Sequence, residues 1–377
     1  MKILFYYPSN KRTIAFNSVM KKLKEKGYDM HLLTTCEEGV FHEDCRNLGV
    51  KVFSNSIKSA FSLFYYLRQI LFLIRFCKKN QIEVVLSNLQ HVNFIAVFAQ
   101  YFIKAKVVIY RHHFNYTNLL AEGLVVEKKN KNESFFDRVI NRRAKKIVVP
   151  SFSVKEGMVK YENANPEKIS VMQYLYDFSM YNKPDPKKAE ELKGKYDAKL
   201  IVLMCARLIK LKGHIHVFNA INTIIKEHHA DIKMLVLDDG PEKDKLEEFI
   251  VKNQLQDHIF MLGYCSDIES VMACCDLMIH PSLTEASNSA VKEMALQGKT
   301  CVVCDGVGDF SDYFINRVNG FLIDPNNAEN EIIRIVTDVY SDKEMLKRMG
   351  SELRNTVMER FGVTELNVDK YIESFKN

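Results

Sequence analysis

Four charged side chains in the second half of the chain have types and spacings suited to an anionic ligand: Arg207, Lys212, Glu285 and Glu293. A guanidinium followed five residues later by an ammonium can hold a diphosphate from two sides, Arg207 as a planar fork and Lys212 as a point charge. The two acids lie in Pro281-Ser282-Leu283-Thr284-Glu285-Ala286-Ser287-Asn288-Ser289-Ala290-Val291-Lys292-Glu293. The Ser and Asn residues predict a helix beginning near Asn288, whose first N–H groups have no partner inside the helix and face the preceding loop. A phosphate fits such an end, lined by Ser287, Asn288 and Ser289 with Glu285 beside it. Glu293, about 12 Å further along at ~1.5 Å per residue, reaches another part of an elongated ligand. Acids separated in this way suit hydroxyl groups at both ends of a nucleotide diphosphate sugar. Alone, two glutamates at this spacing are ordinary solvated acids.

Such residues act together only if strands and loops bring them to one place. The apolar run 276–280 before the motif, and Gly298 with the run 300–304 after it, predict strand, loop, helix, strand. Glu285 then stands at the carboxyl end of a strand, where open α/β sheets bind ligands. Residues 200–206 predict a strand feeding the loop from Arg207 to Gly213, with a helix from about His214. Further strands are expected at 232–237, ending in Asp238-Asp239-Gly240-Pro241, and at 259–262, leading to Gly263-Tyr264-Cys265.

The first half opens as a βαβ unit, with strand 2–7, helix 17–26 ended by Gly27, and strand 29–35. Strands follow at 83–87, 106–110, 145–150 and 168–173, and helices at 93–103, 135–143 and 154–161. Residues 59–79 are apolar on nearly every side, which predicts a buried crossover helix. Its cations Lys58, Arg68, Arg75, Lys78 and Lys79 support a second reading, a helix lying on a membrane surface. Strand 106–110 delivers Arg111-His112-His113 into a loop, where chemistry is more often found than in cores. Residues 115–133 read as an acceptor loop, and 182–187, with Pro184 and Pro186, as the linker between domains.

In order, Arg207, Lys212-Gly213, Pro281-Ser282 with Glu285 and Glu293, and Gly298 before an apolar strand resemble the signature of retaining glycosyltransferases of family four. The resemblance spans almost the whole chain and is specific from Arg207 to Asp309. Ala286 stands where the family often has Gly, Met294 where it usually has Ala, and Asp238 where it shows Gly. The implied fold is GT-B, two Rossmann-like doubly wound parallel-sheet α/β domains facing a cleft. Residues 1–180 would bind the acceptor and 188–360 the nucleotide sugar, while 361–377 form a helix returning to the first domain.

The resemblance also implies roles. His112, with His113 one step away, would lie near the sugar and acceptor, Tyr264 at the nucleotide base, and the loop 305–309 near the sugar and phosphates. The first loop, Pro8 to Thr13, lacks the family's paired glycines, so that contact is not carried over and Lys11 and Arg12 stand as the acceptor-side charge. The reaction implied is retaining, metal-independent transfer of a sugar from a UDP- or GDP-linked donor, with no further cofactor, to a saccharide or lipid-linked acceptor. Arg207, Lys212 and the helix start near Ser289 would stabilise the leaving diphosphate, Glu293 would hold the ribose, and Glu285 would orient the sugar. A nucleotide-sugar epimerase or phosphorylase of the same fold is the alternative, as is a non-catalytic nucleotide-sugar-binding protein.

Composition sets the outer bounds. A chain of 377 residues exceeds one ordinary core, and 47% hydrophobic with 27% charged residues is a globular composition. No apolar run approaches the ~20 residues of a membrane span, and Met1 to Tyr7, reaching Pro8 at once, is too short for a signal peptide. The expected location is the cytoplasm, or the inner face of the membrane.

The net charge of +6 is unevenly spread: residues 1–150 carry 25 Lys and Arg against 11 Asp and Glu, and the remainder 28 against 36. A basic first half favours an anionic acceptor, an anionic membrane surface or nucleic acid, and of these no nucleic acid is expected as partner. Nine cysteines without framework spacing fit a reducing compartment, and Cys301 with Cys304 lacks the second pair or histidine of a zinc site. Gly298-Lys299-Thr300 lacks the earlier glycine of a phosphate loop, and Gly306-Val307-Gly308 the third glycine of a dinucleotide fingerprint. No Asp-x-Asp occurs to clamp a metal.

Overall fold

The computed structural model describes residues 1–56, 63–113 and 131–376. It divides into two compact units, Met1–Met180 with Phe361–Asn377, and Tyr181–Arg360. The first is built on β1 (Lys2–Tyr7), β2 (Asp29–Thr34), β3 (Lys51–Ser54), β4 (Val84–Asn88), β5 (Lys106–Tyr110), β6 (Lys146–Val149) and β7 (Ile169–Val171). These pair in the order β3-β2-β1-β4-β5-β6-β7, every pairing parallel. The second unit holds β8 (Leu200–Cys205), β9 (Ile232–Leu237), β10 (Ile259–Gly263), β11 (Leu277–His280), β12 (Thr300–Cys304) and β13 (Phe321–Ile323), in the parallel order β10-β9-β8-β11-β12-β13.

Helices connect consecutive strands, so the inner strands of each sheet are covered on both faces and read as continuous apolar runs. Ile3, Leu4, Phe5 and Tyr6 of β1 and Leu200 to Met204 of β8 are all buried. In each sheet the direction of winding reverses once, between β1 and β4 and between β8 and β11. At such a point two neighbouring strands send their following loops apart to opposite faces, opening a crevice at their carboxyl ends.

Helix Leu63–Asn80 is a crossover between β3 and β4, but it is not buried all round. Tyr65, Tyr66, Gln69, Leu73, Phe76 and Cys77 face inward, whereas Leu63, Phe64, Leu67 and Leu71 are at least half exposed. The expectation of a wholly buried helix is corrected: the layer it shares with helix Gln90–Ala99 covers only one of its sides. Lys58 lies outside the described residues, as does most of the expected acceptor loop.

The expected linker also contains a helix start. Helix Pro186–Lys195 opens with Asp185 accepting from Lys187 N–H, and Pro186 takes the first position, where its missing N–H costs nothing. Val368, Tyr371, Ile372 and Phe375 of the last helix, Glu365–Lys376, are buried in the core of the first sheet with Phe5, Phe16 and Leu32.

Candidate functional site

The loop after β8 and the loop after β11 meet at the reversal of the second sheet. Leu283 N–H donates to Leu211 O at 2.8 Å. Gly213, at φ +72, lies so close that a Cβ there would be 2.7 Å from Pro281 O. This contact brings Lys212 to Glu285, 73 positions away in sequence, with Nζ 2.5 Å from Oε1. His280, the last residue of β11 and 1% exposed, places Nε2 at 2.7 Å from the same oxygen. Burial alone would raise the Glu285 carboxyl, but its hydrogen bond and electrostatic interaction with His280, together with the Lys212 ammonium, outweigh it and pull the pKa down to about 2.

Helix Ser289–Leu296 starts beside this trio. Asn288 is its cap, its Oδ1 accepting Val291 N–H at 2.9 Å, which leaves earlier N–H groups at the helix start without an intrahelical partner. Gly308, at φ +58, would bring a Cβ within 2.6 Å of Glu285 Cβ, so the loop after β12 closes on the other side of the acid. Behind the helix start, Lys292 Nζ lies 2.7 Å from Asp309 Oδ2, and Ser287 Oγ donates to that oxygen at 2.6 Å.

Glu293 faces the opposite way in its ionisation. Burial, then the nearby Glu269, raises its carboxyl to about 7, while Lys292 offsets part of the shift. Arg207 is exposed just past β8, and Tyr264 is 81% exposed. Lys212, Glu285, Ser287, Asn288, Ser289 and Glu293 thus occupy two adjoining loops and one helix, and Arg207 belongs to the first of those loops.

In the first unit, His112 follows β5. Its Nδ1 bonds Tyr174 Oη, and its ring stacks on Tyr110 with centroids 4.6 Å apart. Burial, then the charges of His113 and Arg111, lowers its pKa to about 3, so the imidazole is neutral at any ordinary pH. The side chain of Arg111 is instead buried, 3.0 Å from Glu162 and 3.3 Å from Asp137. His113 and Lys11 are exposed. Arg12 is committed to a fork on Asp44, Nε to Oδ2 at 2.7 Å and Nη2 to Oδ1 at 2.8 Å.

Sequence reasoning missed His280 and Lys292, the ionic partner of Asp309. A signal existed for Lys292, whose position repeats the inward side of a short helix with Val291 and Ala295. His280 reads only as the end of an apolar run.

The two doubly wound sheets, with charged groups gathered at the reversal of the second, define a protein of the GT-B class. The family model described as Glycosyltransferase Family 4 matches residues 16–176, and Glycosyl transferases group 1 matches residues 186–356, so the chain belongs with the GT-B glycosyltransferases. Among curated relatives, a poly(ribitol-phosphate) alpha-N-acetylglucosaminyltransferase of Staphylococcus aureus is 20% identical, covering 70% of this chain and 52% of its own length. A UDP-Gal:alpha-D-GlcNAc-diphosphoundecaprenol alpha-1,3-galactosyltransferase of Escherichia coli is 27% identical, covering 57% and 56%. The chain spans about half the length of these relatives. The solved structure of Anabaena HepE in complex with UDP shares the fold at a TM-score of 0.77 and 20% identity, covering 99% of this chain and 98% of that one.

Proposed function

We propose that the chain is a retaining, metal-independent glycosyltransferase that moves a sugar from a nucleotide diphosphate sugar to a saccharide or lipid-linked acceptor. The observation that carries this reading is the Lys212–Glu285–His280 trio beside the start of helix Ser289–Leu296. An ammonium and aligned N–H groups are suited to the negative charge that grows on a departing diphosphate. Arg207 adds a second cation from the same loop as Lys212. Glu285, ionised at any working pH, accepts hydroxyl protons from the sugar, and Glu293 accepts those of the ribose. Neutral His112 serves the acceptor side as a hydrogen-bond partner, with Lys11, Arg12 and His113 nearby in sequence or element order; retention of configuration rests on the family resemblance.

UDP-linked donors are the first to test, then GDP-linked ones, by thermal stabilisation. A ligand at 100 times its dissociation constant adds about 2.7 kcal/mol. Incubating a radiolabelled nucleotide sugar with and without acceptor then separates transfer from epimerisation or phosphorolysis. No stabilisation by any nucleotide or nucleotide sugar would defeat the reading.

The acceptor side extends to a membrane surface in this reading. Helix Leu63–Asn80 contains no acid, and its exposed side presents Phe64, Leu67 and Leu71 with Arg68, Arg75, Lys78 and Lys79. Cations near an anionic leaflet contribute about 1 kcal/mol each. No helix among the described residues is long and apolar enough to cross a membrane, and the contact proposed is a peripheral one at the cytoplasmic face. Vesicles of phosphatidylglycerol and phosphatidylcholine should sediment the protein at low salt and release it at high salt. Equal recovery in the supernatant with and without vesicles would remove this part.

A further inference from the structure

Lysine is almost never wholly buried unless it is paired, and Lys292 is 2% exposed. Its ammonium lies 2.7 Å from Asp309 Oδ2, 3.0 Å from Ser287 Oγ and 3.1 Å from Asn288 O, with the Tyr313 ring centroid at 5.2 Å. Asp309 is fully buried. Apolar residues serve the same side of the helix at Val291 and Ala295, so packing does not call for a cation. A buried ion pair is often no more stabilising than apolar side chains of the same volume.

What this pair supplies is connection. Lys292 reaches back to the two residues before the helix start and across to Asp309, whose neighbour Gly308 packs on Glu285. We propose that Lys292 and Asp309 are positioning residues: their ion pair ties the loop after β12 to the Glu285 loop and fixes the helix-start N–H groups and Glu285 where a diphosphate sugar needs them. The proposal rests on the donor site argued above and acts through it, since both groups are too buried to touch a ligand.

The test uses full-length Lys292→Met, Asp309→Asn and the double variant Lys292→Met/Asp309→Leu. Each single variant should melt lower than the wild type, because one buried polar group loses its partner. The double variant should regain most of that loss, having no charge left to bury. Even so, amide hydrogen exchange of residues 285–291 and 306–309 should be at least tenfold faster in the double variant, with the rest of the second unit unchanged. UDP affinity should fall at least tenfold. Wild-type exchange rates in those two segments would overturn the proposal, as would faster exchange with unaltered UDP affinity. If the wild type binds neither UDP nor GDP while exchange still accelerates, the donor reading fails and the ion pair's hold on the loops is upheld.

Discussion

Lys212 joins the two halves of the candidate site, and its loss should be felt in turnover. Lys212→Ala removes one charged hydrogen bond, which at ~1.4 kcal/mol predicts at least a tenfold drop in transfer rate. Wild-type turnover in this variant would rule out the role. Glu293 gives a pH signature. Its folded pKa of about 7 exceeds the ordinary glutamate value of 4.5, so its carboxylate costs stability that is absent below about pH 4.5 and complete above about pH 7. Glu293→Gln should therefore raise the melting temperature at pH 8, by at most ~3 kcal/mol of stability, and leave it unchanged at pH 4. His112 should show imidazole NMR shifts that are flat from pH 5 to 8, because its pKa is held near 3. The charged residues of this site were legible because cations and acids stand at fixed spacing around Gly213 and Pro281. Their pairing was not, since a Lys212–Glu285 contact depends on which two strands become neighbours.

Strands were the most readable elements, because burial on both faces writes β1, β5, β8 and β11 as unbroken apolar runs. Helix Val40–Asn47 and β3 carry no such mark: β3 has four residues at the sheet edge, none of them buried. The outward side of helix Leu63–Asn80 was hidden by its own composition, since apolar residues on the exposed side look like core residues in sequence. Turn glycines offer a direct check on how the loops are held together. Gly27, at φ +82, has open space where a Cβ would stand, with no neighbour within 4 Å, whereas Gly213 and Gly308 also face close neighbours. Gly27→Ala should cost about 1 kcal/mol from backbone strain alone, and Gly213→Ala and Gly308→Ala measurably more, read by denaturant unfolding.

Two domains with strands and helices in alternation followed from length and from two successive sets of apolar runs, whereas the GT-B fold was implied by the family resemblance. How each sheet is ordered did not follow, because winding direction is decided by packing and not by any local spacing. Phe375 lies in the core of the first sheet though it is 370 positions from Phe5. Phe375→Ala should cost about 3–5 kcal/mol, detected as an earlier unfolding step of the first unit while the second keeps its midpoint.

That distant contribution has a consequence for how the protein is made. During synthesis the seven-stranded sheet emerges early yet lacks its closing hydrophobic wedge until the stretch beyond Phe361 leaves the ribosome, after the six-stranded sheet has already had time to fold. A chain stopped short of that stretch would present an unfinished face to the cell's proteases, so translation through it becomes a checkpoint for a lasting first domain.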